Sequence, residues 1–255
     1  MAQQIQDGNL SDSGISPTIL ALESASDASS AAIYLPSGEV IQNLVEARHG
    51  HAERLTAQID DILRQANYRF SDITHIAAGC GPGSFTGIRV CLAAAKGLLL
   101  AGTAEPVGIS LLEAMLHAKT KTYLDAYSSA KSDKEAEVKS GTKSGPKSGT
   151  GWLAVLDSRR NSVYMQTSGM TQIQDVDEAG LHKILLSEPD LQLTGLLPDG
   201  WDARLPHPAH FHRQLPSAAL IANLAAKQIF DGTRLAPLEP AYLAPPKLGP
   251  AKKPA

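Results

Sequence analysis

The amino-acid sequence predicts an α/β protein built from two related units. The chain has 255 residues, of which 43% are hydrophobic, which is enough for one large domain or two modest ones. Short apolar runs typical of strands alternate with segments of helical periodicity. A strand that ends in Glu23-Ser24, with a polar turn and another strand after it, has a counterpart that ends in Asp157-Ser158. We therefore expect a duplicated mixed-sheet unit, with both acid-serine corners facing one cleft.

Residues 18–118 form the first predicted unit. Three strands separated by polar turns predict a meander, and the segment after them has apolar residues at helical spacing. A further strand, a glycine-rich loop and a second helix follow, and then a last strand and a last helix. The predicted strands are 18–23, 30–35, 40–45, 73–78 and 105–110, and the predicted helices are 46–67, a helix from the loop to about 101, and 110–119.

The second predicted unit, 151–245, is separated from the first by a segment of different composition. Residues 119–150 contain seven lysines against four acids and almost no large apolar side chains. Such a segment buries too little surface to offset its ordering entropy, so we expect a flexible insertion, and its role is left open. A helix at 216–230, with Gly232 after its end, is predicted in the second unit.

Both ends of the chain are predicted to lie outside the two units. The leader 1–17 is polar and has neither the basic nor the apolar region of a secretion signal, so we expect it to be disordered. Residues 246–255 are expected to form a tail. The longest apolar run, 90–101, contains Lys96 and Gly97 and is shorter than the roughly 20 residues of a membrane span. The sequence therefore predicts no membrane segment.

Charge and cysteine content narrow the function class. A formal net charge of -3 gives no field that would draw nucleic acid onto the whole molecule, so any RNA contact is expected to be local or supplied by a partner. Cys80 and Cys91 lie too far apart for a Cys-x-x-Cys pair and are too few for a disulfide scaffold. Because free thiols suit a reducing compartment, we expect a cytoplasmic protein.

The loop at 79–89, "GCGPGSFTGIR", places four glycines between a predicted strand and a predicted helix. It has no lysine and the wrong glycine interval for a Walker A loop, and its glycines do not fit the dinucleotide fingerprint. Inward backbone N–H groups, two hydroxyls and a helix N-terminus still favour an anion, although a tight turn alone explains the glycines equally well. The candidate anion- or nucleotide-binding residues are Glu23, Ser24, Gly81, Gly83, Ser84, Thr86, Gly87, Arg89 and Asp157.

Histidine side chains are the first candidates for metal ligands in this sequence. His49 and His51 are two residues apart, which separates them by about 200° on a helix, so they do not grip one ion. A second group lies in a proline-broken loop without a matching acid or cysteine pattern: His207, His210 and His212. We expect no metal site, which argues against a metal-dependent peptidase.

The second predicted helix carries small residues at every fourth position. Ala93, Gly97 and Ala101 form a narrow strip that lets another helix approach to the short end of the usual range of about 8 to 10 Å. The neighbour that fills this strip is either the first helix of the same chain or a helix of a partner.

The string "GPGSFTGIR" at 81–89 resembles the signature of the TsaB family, the dimerisation subunit of the bacterial tRNA threonylcarbamoyladenosine machinery. The resemblance extends through "ILALESASDASSAAI", "HGHAERLTAQIDDIL", "LDSRRNSVYM" and "EPAYL", most of the chain outside the leader, the insertion and the tail. The chain departs from the family pattern at three places. Glu23-Ser24 replaces Asp-Thr, Ser162 replaces an acid, and Ala244 replaces an arginine. The first change keeps the charge and the hydroxyl, and the other two weaken the case for ligand contacts there.

The resemblance implies a fold and a set of partners. The fold is the actin-like, two-lobed architecture of sugar kinases and Hsp70-type ATPases. The main partner is the paralogous subunit TsaD, which carries the metal and transfers threonylcarbamoyl to the adenosine beside the tRNA anticodon. TsaE, an ATPase, and tRNA would join through the assembled complex, and TsaC would act upstream. The docking surface would add Ile59 and Leu63 of the first helix to Ala93, Gly97 and Ala101.

The resemblance also implies that this chain is not itself the catalyst. We expect a non-catalytic activator of TsaD, with a weakly bound adenine nucleotide at the lobe interface allowed and no cofactor required. The alternative is an independent ATPase or phosphotransferase of the same fold, in which Glu23 and Asp157 would form a paired acid and metal-phosphate site. Homodimer formation by the isolated chain is left open.

Overall fold

A computed structural model describes residues 16–46, 51–132, 151–170 and 172–243, with only the backbone described at 51–52, at 123–132 and at 209. Most of the predicted leader, the rest of the predicted insertion and the predicted tail lie outside these residues, as do His49 and Ala244. In chain order, the elements are β1 (Ile19–Glu23), β2 (Ala28–Tyr34), β3 (Val40–Glu46), α1 (His51–Ala66), β4 (His75–Gly79), α2 (Phe85–Leu99), β5 (Glu105–Ile109), α3 (Leu111–Ser132), β6 (Trp152–Asp157), β7 (Val163–Thr167), β8 (Gln174–Val176), α4 (Glu178–Ser187), β9 (Gln192–Gly195), β10 (Phe211–Arg213) and α5 (Ala218–Phe230).

Two five-stranded mixed sheets repeat one topology. The first sheet has the order β3-β2-β1-β4-β5, and the second has the order β8-β7-β6-β9-β10. In each sheet the first strand pairs antiparallel with the second and parallel with the fourth. The predicted duplication is therefore confirmed, and the α/β fold with two mixed-sheet units is the fold of this chain.

Burial explains why the strand pattern is readable in the sequence. All five residues of β1 are buried because the strand lies at the centre of the first sheet with helices on both faces. β3 lies at the edge of that sheet, and none of its residues is fully buried. α1 buries Leu55, Ile59 and Ile62 on one stripe, as its apolar spacing predicts.

Each sheet is covered in part by a helix that comes from the other half of the chain. α1 and α2 pack on the first sheet, but so does α5, which comes after the second sheet in the chain. The Ala218 N–H of α5 donates to Ser30 Oγ at 2.8 Å, and the Ala219 N–H donates to Gln42 Oε1 at 2.9 Å. α3, in turn, packs on the second sheet and against α5. One continuous core therefore joins α3 and α5 to residues of both sheets.

Three elements differ from the sequence prediction. α3 continues through Lys119 to Ser132, into the segment predicted to be flexible, because Ala, Leu and Lys there are good helix formers. Glu46, which was predicted to open the first helix, belongs to β3, and α1 is described from His51 onward. α4 has no counterpart in the prediction, although Asp177 caps it by accepting a hydrogen bond from the Gly180 N–H at 2.8 Å.

Among the helices that the structure describes, none has both the length and the apolarity needed to cross a membrane.

Candidate functional site

The glycine loop between β4 and α2 packs on the corner between β1 and β2. Ser84 caps α2, and its Oγ accepts a hydrogen bond from the Gly87 N–H at 3.2 Å. The Ser84 N–H donates to the Ala25 carbonyl at 2.7 Å, and Ser24 Oγ donates to the Gly87 carbonyl at 2.9 Å. Both serine hydroxyls that were candidates for an anion are therefore engaged in holding α2 against the corner.

Close backbone approach explains two of the glycines. A Cβ atom at Gly87 would lie 2.0 Å from the Ser24 carbonyl oxygen, and one at Gly83 would lie 2.4 Å from the Ala25 carbonyl oxygen. Gly81 has a φ of +103°, in the region that favours glycine. These contacts favour the tight-turn interpretation of the loop over an anion cradle.

We expect Gly87→Ala to lower the free energy of unfolding by about 3 kcal/mol, because the added methyl group would collide with backbone rather than with a side chain that can move. Urea denaturation followed by circular dichroism measures this. Gly232→Ala is not a suitable control because its φ is +65°. Gly97→Ala is suitable, since a Cβ there meets nothing within 4 Å. Equal stability of Gly87→Ala and wild type would contradict the close packing.

Glu23 and Ser24 lie beneath the corner rather than on its surface. Both residues are 0% exposed. The Glu23 carboxyl accepts hydrogen bonds from the Ala25 N–H at 2.6 Å and from Ser26 Oγ at 3.1 Å. Burial raises the pKa of Glu23 from 4.5 to about 8, in spite of these hydrogen bonds. With its carboxyl fully buried, Glu23 does not reach the surface of this corner, which does not suit a metal-phosphate ligand.

The second corner, at Asp157, faces the first one. Asp157 Oδ1 accepts a hydrogen bond from the Arg159 N–H at 2.8 Å. Ser158 Oγ and Ser162 Oγ lie 2.6 Å apart and share a hydrogen bond, so Ser162 stabilises this turn. The Arg159 guanidinium pairs with Asp27 of the first corner, and its Nε lies 3.6 Å from Asp157 Oδ2. The two acid-serine corners are thus joined by one arginine.

A cleft of about 160 Å³ lies between the corners. Its walls contain carboxylates, two arginines and the serines of the first corner and the loop. The charged and hydroxyl residues that line it are Ser26, Asp27, Ser84, Asp157, Arg159, Asp199 and Arg213. Pockets for drug-sized ligands usually measure about 300–1,000 Å³, so this cleft is smaller than the usual range. Among the described residues, no group of three His, Cys, Asp or Glu side chains could hold a metal ion.

Arg89 and Thr86 lie on the outer face of α2 and do not line the cleft. The Arg89 guanidinium carbon is 3.8 Å from the centroid of the Phe85 ring, and its Nε–H donates to the Tyr242 hydroxyl at 3.0 Å. The expectation that Arg89 reaches an anion at the loop is therefore corrected, because aromatic rings on the outer face hold its side chain there.

The strip of small residues on α2 is open to solvent. Ala93 and Gly97 are exposed, so α1 of the same chain does not cover them. Ala101 is also exposed, but it follows the end of α2 at Leu99. Leu100, which no sequence motif indicated, is 91% exposed beside this strip. An exposed surface of small and apolar side chains on a helix suits the close approach of another helix.

The α1 residues predicted for the same surface are placed differently. Ile59 is 7% exposed and belongs to the chain's own core, so its assignment to a docking surface is corrected. Leu63 is half-buried and packs at the margin of that core. Helical spacing identified the apolar stripe of α1, but this stripe faces the first sheet.

The remaining histidines and cysteines have structural surroundings. The rings of His207 and His210 are 5.5 Å apart, and His212 Nε2 lies 3.2 Å from Gln192 Oε1. The pKa of the Cys80 thiol and that of the Cys91 thiol are raised by burial, which keeps both protonated and unreactive.

Comparisons with known proteins agree with this fold. The family model described as TsaD, tRNA N6-adenosine threonylcarbamoyltransferase, matches residues 39–133. The chain is 35% identical over 97 residues to the Escherichia coli K12 tRNA threonylcarbamoyladenosine biosynthesis protein TsaB. The matched region covers 38% of this chain and 42% of that protein. It is 37% identical over 101 residues to the Haemophilus influenzae protein of the same name, covering 40% of this chain and 42% of that protein.

A solved structure matches over a longer part of the chain. It is a Pseudomonas aeruginosa protein described as uncharacterised and similar to peptidase YeaZ, with a TM-score of 0.65 and 22% identity over 89% of this chain and 100% of that one. At this identity the match shows the fold alone. The chain spans about two fifths of the length of the curated relatives it matches. These comparisons confirm the resemblance that the loop motif indicated.

Proposed function

We propose that this chain is a member of the TsaB family and acts in tRNA threonylcarbamoyladenosine biosynthesis as a non-catalytic partner that binds and activates the TsaD transferase. The relatives that carry the TsaB name support the pathway. The TsaD model that matches residues 39–133 supports descent from a common ancestor with the proposed partner. Identical subunits of a twofold dimer pack through the same surface, and we propose that these two related subunits likewise pack through corresponding surfaces.

The exposed strip on α2 is the observation that carries the proposal. A Cβ atom at Gly97 would meet nothing within 4 Å, and Ala93 is exposed one turn before it. The short side chains let a second helix approach closely, and Leu100 at 91% exposure adds apolar surface at the end of the strip. Among the residues that the structure describes, none covers Ala93 or Gly97.

The cleft gives the reason to favour a partner over an enzyme. Glu23, the acid that a phosphotransferase of this fold would use, is 0% exposed and does not line the cleft. Arg159 is paired with Asp27 and lies beside Asp157, so its charge is already balanced. The proposed function therefore includes no nucleotide turnover in the cleft. TsaE and tRNA are proposed to join through the assembled complex in the cytoplasm.

Reconstitution tests this proposal directly. The purified chain, TsaD, and the two together are each incubated with TsaE, ATP, threonylcarbamoyl-adenylate and tRNA, and the modified nucleoside is measured by mass spectrometry. We expect product only when both subunits are present. Modification of tRNA by this chain without TsaD would overturn the non-catalytic role. ATP hydrolysis by this chain alone that is lost in Asp157→Ala would favour the independent ATPase instead.

A further inference from the structure

A charged residue, Arg89, lies on the surface of α2 just before the strip. Phe85, Arg89, Ala93 and Gly97 are four residues apart and form one row along the helix surface. Arg89, Ala93 and Gly97 are exposed, and Phe85 is half-buried. A partner helix that packs along this row would therefore meet a guanidinium group at one end and small side chains at the other.

The Arg89 side chain is held in one place before any partner binds. Its guanidinium carbon is 3.8 Å from the Phe85 ring centroid, and its Nε–H donates to the Tyr242 hydroxyl at 3.0 Å. The Tyr242 and Phe85 rings are 5.1 Å apart. Since the conformational entropy of the arginine is already reduced, an ion that binds it loses less entropy on binding.

The segment that carries Tyr242 is itself fixed to the glycine loop and to β5. The Ala241 N–H donates to the Cys80 carbonyl at 2.8 Å, and Ala236 forms a β-bridge with Gly108. A Cβ atom at Gly108 would lie 2.2 Å from the Pro237 carbonyl oxygen, which shows how closely this segment packs. Tyr242 therefore positions Arg89 from a segment 153 residues away in the sequence.

Arg89 has no carboxylate partner among the described residues, whereas five other arginines each have one. Among the described residues, its guanidinium forms one hydrogen bond, to Tyr242 through Nε, and no ion pair, which leaves both terminal nitrogens free. Other arginines of the chain pair with a carboxylate: Arg64 with Asp61, Arg69 with Asp72, Arg159 with Asp27, Arg204 with Glu178 and Arg213 with Glu46. An exposed, oriented guanidinium with two free terminal nitrogens is suited to bidentate binding of a carboxylate.

We propose that Arg89 binds an aspartate or glutamate of the partner subunit whose helix packs over Ala93 and Gly97. This inference rests on the proposed function. Arg89 lies eight residues before Gly97, which corresponds to about 12 Å along the helix axis. On the partner helix, the acidic residue is therefore expected about two turns from the residue that lies closest to Gly97. The small apolar residues between these points favour a protein helix over RNA, because an RNA backbone would need further cations in the row.

Binding affinity for the purified partner subunit tests this inference. Arg89→Gln is expected to weaken binding at least about thirtyfold and to reduce its dependence on salt. Arg89→Lys keeps the charge without the planar fork and is expected to weaken binding by about fivefold to tenfold. Tyr242→Phe removes the hydroxyl that orients Arg89, and a loss of a few-fold is expected. Arg204→Gln makes the same charge change on the second half of the chain and is expected to stay within twofold.

A double-mutant cycle identifies the acidic residue. Aspartates and glutamates on the partner are replaced by alanine one at a time, and one of them is expected to show coupling to Arg89→Gln but not to Arg204→Gln. Three outcomes would overturn the inference: unchanged affinity in Arg89→Gln, absence of any coupled acid, or loss of tRNA binding by the complex with subunit affinity intact. If Gly97→Leu then still abolishes subunit binding, the proposed function stands without this contact. If wild type does not bind the partner, both fall.

Discussion

Replacing Gly97 with leucine is expected to weaken binding of TsaD at least about a hundredfold while the isolated chain remains folded. A Cβ atom at this position meets no described atom within 4 Å, and leucine is a better helix former than glycine by roughly 1 kcal/mol. In the complex, glycine at this position would let the two helices approach closely. The leucine side chain would enter this contact, where overpacking costs about 3 kcal/mol. Isothermal titration calorimetry gives the affinity, and thermal unfolding gives the stability.

Ala179→Leu is the matched control, because Ala179 is an exposed small residue on α4, far from α2 in the fold. It adds the same bulk to a helix surface and is expected to leave the affinity unchanged. Ala93→Leu, at the neighbouring position in the strip, is expected to weaken binding as Gly97→Leu does. Undiminished binding of TsaD by Gly97→Leu would show that the docking surface lies elsewhere.

A change of pH from 5 to 9 is expected to destabilise the wild-type chain through Glu23. The pKa of Glu23 is about 8 in the folded chain against an ordinary value of 4.5, so the folded state retains a proton that the unfolded state has released. The stabilisation due to the uncharged carboxyl is complete below pH 4.5 and is lost as the pH rises from there to about 8. This difference corresponds to up to about 5 kcal/mol.

Glu23→Gln is expected to remove this pH dependence and to be the more stable protein at pH 8. The amide keeps an acceptor for the Ala25 N–H and a donor toward Ser26, without a charge to bury. Urea unfolding at pH 5, 7 and 9 measures the free energy of unfolding of both proteins. Glu39→Gln changes an exposed glutamate and is expected to keep the wild-type dependence. The same slope in Glu23→Gln and wild type would show that Glu23 does not titrate in this range.

The parts of the fold that follow from local pattern were predictable from the sequence. β1 is a continuous apolar run because it is covered on both faces, and the recurrence of its acidic end at β6 revealed the duplicated sheets. The cap of α2 by Ser84 is likewise a local feature. α4 was missed because its charged and small residues at the start obscure the apolar spacing that follows.

Properties that depend on distant contacts were not predictable. The sequence placed Arg89 next to the glycine loop, but Tyr242, which holds it on the outer face of α2, is 153 residues away. Helical spacing showed that Ile59 lies on the apolar stripe of α1, and only the packing shows that this stripe faces the chain's own core. The glycines of the loop were evident, whereas the carbonyl oxygens that require them at Gly83 and Gly87 belong to another segment.

The exchange of helices between the sheets determines how the molecule comes apart. A protease that cut the chain between α3 and β6 would produce an amino-terminal piece whose sheet has lost α5 and a carboxy-terminal piece whose sheet has lost α3. Each fragment would contain the helix, α3 or α5, that covers the sheet of the other fragment. The two fragments are therefore expected to stay associated and to denature in a single step.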